Sequence, residues 1–265
     1  DEDKEFNGKD VIIKNGFKTI LNKLIDKLKN KIHLNSKVTN INLDNLKITY
    51  LENNIEKNDS ADYIVCTVPL GILKANTIKF TPKLPINVKN SISNIGFGTV
   101  TKIAIKFNDI FWSKKTQFFG IDTIIKGRWN YWMNCLTFSD EPILIGFSLG
   151  DYAFETDKMT DEEIIEDALD VLQEVFFEDD QNIRNYVDKK FLFRTKWSEL
   201  ENFKGAYSYT HYKSTPEDYK ILSEPIKPFN FSFAGEACIF DYNGTVHGSY
   251  LSALKCYNDI KNILG

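Results

Sequence analysis

Two short stretches near the C-terminal end of the chain combine a glycine, a carboxylate and a hydroxyl at spacings that suit ligand binding. Residues 233–236 (Phe-Ala-Gly-Glu) have the pattern of a buried strand that ends at a glycine turn. After a spacer of eight residues, Thr245 opens a helical pattern. Free backbone N–H groups and the positive end of a helix dipole stabilise negative charge, so this pair predicts an anion site. The alternative is an ordinary strand, turn and helix with Glu236 exposed.

A single lysine within an apolar strand pattern is the second candidate for chemistry. Gly96 and Gly98 precede Lys102, and the apolar run 103–105 follows it. This placement predicts a lysine directed into an apolar interior, which is costly unless the amine is used. The alternative is a surface lysine, which is how most lysines occur.

The elements that must position these residues follow from hydrophobic periodicity. Helical spacing covers residues 17–30, 85–95 and 164–177, and the last of these follows an acidic capped start at 160–163. Strand patterns cover residues 32–50, 103–107, 117–120 and 142–147. We therefore predict an α/β (mixed α+β) fold, with an antiparallel or mixed sheet in the middle of the chain.

Composition limits the classes of function. With 265 residues, of which 42% are hydrophobic, the chain can bury a sizeable core in one or two globular units. A formal net charge of −4 argues against general nucleic-acid affinity. The sequence has no apolar run near eighteen residues and no charged-then-apolar start, so it indicates neither a membrane span nor a signal peptide. The cysteines form no C-x-x-C pair, which favours reduced thiols over a zinc site: Cys66, Cys135, Cys238 and Cys256.

The two C-terminal stretches resemble the closing flavin-binding segment of the flavin-dependent amine oxidases. Residues 62–73, where a strand stops before a proline, and 95–105, with a Gly-x-Gly turn and a lysine, are also similar to that family. Residues 197–209 resemble the stretch that supplies its aromatic walls. Residues 1–8 and 15–17 resemble an acidic strip of the lysine-specific histone demethylases, which polyamine oxidases match less well. The resemblance thus covers nearly the whole chain and is nearest to the histone demethylase branch.

The resemblance implies a domain organisation. Residues 1–98 are expected to form the middle portion of an FAD-binding domain, with the acidic strip at 1–5. Residues 99–225 are expected to form a mixed-sheet substrate domain, and 226–265 the C-terminal portion of the FAD-binding domain. The sequence has no G-x-G-x-x-G turn that opens a helix, because Gly96 and Gly98 precede a β-branched strand. We therefore expect the chain to be the C-terminal portion of a two-domain oxidase whose N-terminal half completes the FAD site.

The site residues follow from the same resemblance. It implies FAD as the cofactor, no metal, and Lys102 as the catalytic residue, which in the family holds a water near flavin N5. It assigns cofactor contacts to Val38, Thr67, Pro69, Trp197, Glu236, Thr245 and Val246. It assigns substrate contacts to Tyr207, Asp1, Glu2, Asp3 and Glu5. For the four acidic residues, a solvated terminus is the alternative. The chain departs from the branch at 201–204 and 242–244, which affects the shape of the pocket.

The implied function is FAD-dependent oxidation of an amine. The expected reaction is demethylation of mono- or dimethyl-lysine in a histone tail, with formaldehyde and hydrogen peroxide as products. A trimethylated amine has no lone pair to form the imine and is excluded. The expected partner is a basic peptide or a polyamine, without direct nucleic-acid or membrane contact, in the nucleus or alternatively the cytoplasm. The alternatives are a polyamine oxidase and a catalytically silent chromatin or protein-interaction scaffold, which retention of Lys102, Glu236 and Thr245 opposes.

Overall fold

The structure is a computed structural model that describes residues 11–178 and 180–265, apart from the side chains at 27, 29, 30 and 189–191. The helices are α1 (Lys18–Ile25), α2 (Leu70–Lys74), α3 (Ile86–Asn94), α4 (Asp151–Lys158), α5 (Asp161–Phe176), α6 (Pro216–Ser223) and α7 (Val246–Leu264). The strands are β1 (Ser36–Asn42), β2 (Lys47–Glu52), β3 (Ile55–Ser60), β4 (Ile64–Cys66), β5 (Lys79–Thr81), β6 (Gly96–Gly98), β7 (Thr101–Phe107), β8 (Phe118–Gly120), β9 (Tyr131–Asn134), β10 (Ile143–Ser148), β11 (Val187–Arg194), β12 (Tyr207–Tyr209) and β13 (Phe231–Phe233). This mixture of helices and sheets confirms the predicted α/β class.

The described chain divides into two compact units. The first comprises residues 11–67, 76–94 and 215–265, and the second comprises 68–75 and 95–214. The assignment of 1–98 and 226–265 to cofactor binding, and of 99–225 to substrate binding, stays a prediction.

The first unit contains two small sheets. Strands β1, β2 and β3 form the antiparallel meander that the alternation over 32–50 predicts, and β5 adds to β1 in parallel. Strands β4 and β13 form a separate parallel pair, in which Phe233 lies opposite Cys66. Parallel strands end at the same edge of a sheet, so the residues that follow β4 and β13 are brought side by side.

Helices α3 and α6 are joined through one buried carboxylate in the first unit. The Asp218 carboxylate accepts hydrogen bonds from the Thr215 backbone N–H at 2.8 Å and from the Asn94 side-chain amide at 3.1 Å. Burial acts to raise the pKa of Asp218, but these bonds, together with that from the Thr215 hydroxyl, leave that pKa below its ordinary value. Asp218 is therefore held in its ionised form.

Helix α1 confirms the predicted helix over 17–30, although it becomes a 3₁₀-helix at Asp26 that ends at Lys31. Its apolar side chains are placed on one face by the helical period. None of the residues of α1 is buried, and Leu21 and Leu24 are about half exposed. The face predicted to be apolar therefore remains uncovered in the described part of the chain.

The second unit is built on an antiparallel five-stranded sheet in the order β11-β7-β10-β9-β8. Helix α5 covers one face and begins with the predicted capping box between Thr160 and Glu163. The core between them combines aliphatic side chains of β7, β10 and α5 with large aromatic residues: Ile103, Ile105, Phe107, Trp112, Trp129, Trp132, Leu144, Ile164 and Leu172. Helix α5 thus determines which face of the sheet is buried.

A half-buried ion pair fixes α5 to the rest of the second unit. Asp167 accepts hydrogen bonds from Arg128 Nε at 2.8 Å, Trp129 Nε1 at 2.6 Å and the Tyr152 hydroxyl at 2.8 Å. Burial and the neighbouring carboxylate raise the pKa of Tyr152 to about 12, so its hydroxyl stays protonated and donates. This network is a structural anchor of the sheet.

The four cysteines are buried, and none of them belongs to a disulfide. In the described ranges, no group of three or more His, Cys, Asp or Glu side chains is arranged to hold a metal ion. No helix among these residues is long and apolar enough to cross a membrane.

Candidate functional site

Lys102 lies near the start of β7 on the face of the sheet opposite α5. Thr101 and Ile103, its neighbours in sequence, are fully buried, whereas Lys102 is exposed. The expectation that Lys102 is directed into an apolar interior is therefore wrong. Strand residues alternate between faces, so the isoleucines that follow Lys102 report the burial of the other face.

The exposed face of the sheet places aromatic rings beside Lys102. Its Nζ lies 5.2 Å from the centroid of the Phe147 ring on β10. Tyr131 packs edge-on against Phe147 at 5.2 Å, and Phe118 stacks on Tyr131 at 5.4 Å. We call Phe147, Tyr131 and Phe118 the aromatic row. Such faces attract cations and pack against apolar chains, so the aromatic row beside Lys102 can hold an amine on an apolar stem.

Trp197 belongs to the turn that follows β11 and is tied to the strand of Lys102. The Lys102 backbone N–H donates to Thr195 Oγ1 at 2.9 Å, and the Thr195 N–H donates to the Lys102 carbonyl at 3.0 Å. The Trp197 side chain is half-buried and packs edge-on against Phe203 at 5.3 Å, and the Trp197 backbone carbonyl accepts a hydrogen bond from the Gly205 N–H. These contacts bring the predicted aromatic wall within one compact part of the second unit.

Tyr207 lies opposite Gly98 in the short sheet formed by β6 and β12. It is 44% exposed, and the burial of the rest of its ring raises the pKa of its hydroxyl. Pro69 precedes α2, which packs closely in the same unit. A Cβ at Gly71 would lie 2.3 Å from the Phe203 carbonyl oxygen, so only glycine fits there.

The C-terminal stretches form a compact turn in the first unit. Glu236 is half-buried, and its carboxylate accepts a hydrogen bond from the Gly244 N–H at 2.8 Å. The Thr245 hydroxyl accepts from the Gly248 N–H at 3.0 Å and donates to the Tyr242 carbonyl at 2.7 Å, which makes Thr245 the N-cap of α7. Glu236 is therefore built into the turn that precedes the helix.

Thr67 and Gly235 lie at adjacent strand ends. The Ala234 N–H donates to the Cys66 carbonyl at 3.1 Å, so the residues after β4 and β13 leave the sheet side by side. Gly235 has φ +150°, and a Cβ built on it would meet no atom within 4 Å. Thr67 is exposed. This edge thus combines a glycine conformation with open space, an arrangement that leaves room for a ligand.

The remaining predicted contacts are more scattered. Val246 is exposed at the first turn of α7, and Val38 is half-buried on β1 beside a bulge. The acidic strip, predicted to bind substrate, lies outside the described residues: Asp1, Glu2, Asp3 and Glu5.

Each unit collects part of the predicted set. The first unit brings Thr67, Glu236, Thr245 and Val246 to one region, and the second contains Pro69, Lys102, Trp197 and Tyr207. Sequence reasoning missed the aromatic row. Its signal was the alternation of Ile143–Ser148 and Tyr131–Asn134, whose members on one face are the large residues beside Lys102.

Comparisons with known proteins identify the family. Residues 1–260 match the family described as flavin containing amine oxidoreductase. Histone demethylase-like protein A of Aspergillus fumigatus is 31% identical over 77% of this chain and 20% of its own length. The Drosophila melanogaster protein named possible lysine-specific histone demethylase 1 is 30% identical over 96% of this chain and 31% of its own. Polyamine oxidase 5 of Oryza sativa is 30% identical over 100% of this chain and 51% of its own.

The chain spans between about a fifth and a half of the length of these three curated relatives. The family match covers nearly the whole chain. The chain therefore belongs to the flavin-containing amine oxidoreductase family.

Proposed function

We propose that the protein acts as an FAD-dependent amine oxidase that demethylates mono- or dimethyl-lysine in a histone tail. The observation that carries this proposal is the position of Lys102 beside the aromatic row on the exposed face of the five-stranded sheet. Relatives named as lysine-specific histone demethylases support the substrate, and they favour the nucleus as its location.

The residues of the first unit fit the flavin cofactor that the family name implies. The open space at Gly235 leaves room for a ligand where β4 and β13 end. The capped start of α7 offers its positive end to an anionic group. Thr67, Glu236, Thr245 and Val246 would hold the cofactor there. Contacts from Val38, Pro69 and Trp197 remain predictions from the sequence.

A bound flavin supplies the two-electron acceptor for amine oxidation. The protein's own residues orient the amine and exclude water. Phe147 and Tyr131 offer aromatic faces to a substrate amine, whether it is cationic or neutral. The ammonium group of Lys102 can hold a water molecule or stabilise negative charge close to that amine.

The charges on the sheet face favour a single amine on an apolar stem over a polyamine. Lys102 adds a positive charge beside the aromatic row, and the carboxylate of Glu141 is already paired with Lys106. A polyamine carries several ammonium groups, so Lys102 repels it more strongly than a side chain that carries a single ammonium group. A methylated lysine side chain presents one amine on a hydrocarbon chain, which the aromatic row can contact.

The experiment compares peroxide release by the full-length flavoprotein from three substrates. These are a dimethyl-lysine peptide with flanking arginines, the same peptide trimethylated, and spermine. We expect turnover of the dimethylated peptide, none of the trimethylated peptide, and much slower turnover of spermine. The peptide preference should weaken as salt rises if exposed charges recruit the peptide, because exposed charges are screened over about 10 Å at 0.1 M salt.

A polyamine oxidase is the second candidate, since polyamine oxidase 5 aligns with the whole chain. Turnover of spermine equal to or better than that of the peptide would replace the histone tail with a polyamine as the proposed substrate. A silent scaffold is the third candidate. Full-length protein that purifies without flavin and releases no peroxide from any of these amines would favour it.

A further inference from the structure

A buried carboxylate outside the predicted site connects two of its parts. Asp157, in the last turn of α4, is 1% exposed. It accepts hydrogen bonds from the hydroxyls of Thr99 at 3.0 Å and Thr101 at 2.5 Å. Ser198 donates both its backbone N–H, at 2.9 Å, and its hydroxyl, at 2.6 Å. A buried carboxylate is costly without such donors, so donors and acceptor hold each other in place.

The donors to Asp157 are neighbours of the predicted functional residues. Thr101 immediately precedes Lys102 at the start of β7, and Ser198 immediately follows Trp197. The Thr101 hydroxyl also lies 3.1 Å from the Ala153 carbonyl, so its one hydrogen is shared between two acceptors on α4, which fixes the strand to that helix. One carboxylate therefore fixes the segment of Lys102 and the turn of Trp197 to α4.

Helix α4 is itself anchored at this end. The Arg194 side chain, 5% exposed, donates to the Thr156 carbonyl at 3.3 Å and to the Met159 carbonyl at 2.5 Å. Arg194 ends β11, which pairs with β7. The segments around Asp157 thus form a closed set of contacts, and movement of the carboxylate must displace at least one of them.

We propose that Asp157 is a positioning residue that fixes Lys102 relative to Trp197. This inference rests on the proposed function only for its effect on turnover, because the geometry concerns this chain alone. All the hydrogens that Asp157 meets are donated to it, so alanine leaves buried donors unpaired. Asparagine retains one acceptor oxygen, and the Thr101 hydroxyl can rotate to accept from the amide. Asp157→Asn should therefore keep part of the hydrogen-bond geometry around residue 157.

The test uses the full-length protein with Asp157→Ala, Asp157→Asn and the control Asp167→Asn. The control removes a half-buried carboxylate of the same unit whose donors, Arg128, Trp129 and Tyr152, are not adjacent in sequence to Lys102 or Trp197. Hydrogen–deuterium exchange is followed in peptides covering 96–105, 195–209 and 161–176. Exchange is measured without substrate, so this readout does not depend on turnover.

We expect Asp157→Ala to accelerate exchange in 96–105 and 195–209 by about tenfold or more, with less effect on 161–176. Asp167→Asn should show the reverse pattern, and Asp157→Asn should lie between Asp157→Ala and the wild type. With a substrate that the wild type oxidises, Asp157→Ala should lower kcat by about tenfold or more, whereas Asp167→Asn should change it by less than about twofold at a temperature where both are folded.

Equal acceleration in all three peptides for Asp157→Ala, or an exchange pattern matching that of Asp167→Asn, would overturn the inference and leave Asp157 as a fold residue only. Unchanged kcat in Asp157→Ala would also overturn it.

If the wild type oxidises no amine, the proposed function fails, and the exchange pattern still decides the positioning role. If Asp157→Ala does not fold, Asp157→Asn is compared with Asp167→Asn, and the absence of selective acceleration in 96–105 and 195–209 overturns it.

Discussion

The Asp167 network predicts a large and local loss of stability on Asp167→Asn. The substitution removes the charge partner of Arg128. It also leaves an amide N–H₂ group facing at least one of the groups that donate a hydrogen bond to Asp167 in the wild type. Trp129, one of these donors, is fully buried. Breaking a buried ion pair costs about 3–5 kcal/mol, and each unpaired buried donor costs about 1–3 kcal/mol. Because the side chains of Arg128 and Asp167 are still 20% and 16% exposed, we expect the loss in the free energy of unfolding to lie at the lower end of this range, about 3 kcal/mol.

Asp170 offers a matched control on the same helix. It pairs with Arg184 at the surface, where the two side chains are 53% and 33% exposed. Exposed pairs of this kind contribute at most about 1 kcal/mol, so Asp170→Asn should change stability little.

The assay is urea unfolding followed by tryptophan fluorescence, which reports the second unit because all four tryptophans lie there: Trp112, Trp129, Trp132 and Trp197. With a urea m-value of about 1–3 kcal/mol/M, Asp167→Asn should lower the midpoint by about 1 M or more. A shift no larger than that of Asp170→Asn would refute the view that this network anchors α5.

Three further perturbations test other parts of the account. Gly71→Ala would place a methyl group against a backbone carbonyl and should destabilise the second unit by about 1–3 kcal/mol in the same urea assay, whereas Gly120→Ala, whose Cβ meets only an ordinary contact at 3.6 Å, should cost less. Thr245→Ala should remove the cap of α7 and cost about 1 kcal/mol in unfolding followed by circular dichroism, because the first unit has no tryptophan, and Thr245→Ser should retain most of the stability. Because the pKa of Asp218 is lowered by folding, the contribution of its carboxylate to the free energy of unfolding is fully present above the unfolded pKa, near 3.8, and is lost as pH falls through the folded pKa. Asp218→Asn should therefore be less stable than the wild type at pH 7 and should lose less stability on acidification. Equal acid sensitivity of the two proteins would contradict this.

Local signals predicted the elements well. The alternation over 32–50 became the β1–β2–β3 meander, and the acidic start at 160–163 became a capping box, because both depend on residues close in sequence. Helix α6 was missed although Pro216 at its first turn, with Thr215 and Asp218, is a recognisable start. The short helix α4 was missed because eight residues after a glycine show little periodicity.

Long-range features were beyond local patterns. The parallel pairing of β4 with β13 joins residues more than 160 positions apart, and no feature of either strand specifies that partner. Lys102 was predicted to be buried because the residues that follow it in sequence are apolar. The isoleucines among them, Ile103 and Ile105, lie on the face of the sheet that α5 covers, whereas Lys102 lies on the opposite face. Asp157, in an acidic helix, has the pattern of a solvated residue until Thr101 and Ser198 are brought to it by folding.

The most direct test of the central claim is oxygen-dependent peroxide release by full-length Lys102→Met, with Lys106→Met as the matched control. Both lysines lie on the same face of β7, but Lys106 is paired with Glu141 and lies away from the aromatic row. We predict that both variants retain flavin, that Lys102→Met lowers turnover by about tenfold or more, and that Lys106→Met stays within about twofold of the wild type. Equal turnover in the wild type and Lys102→Met, with flavin bound, would contradict the assignment of Lys102 as the catalytic residue.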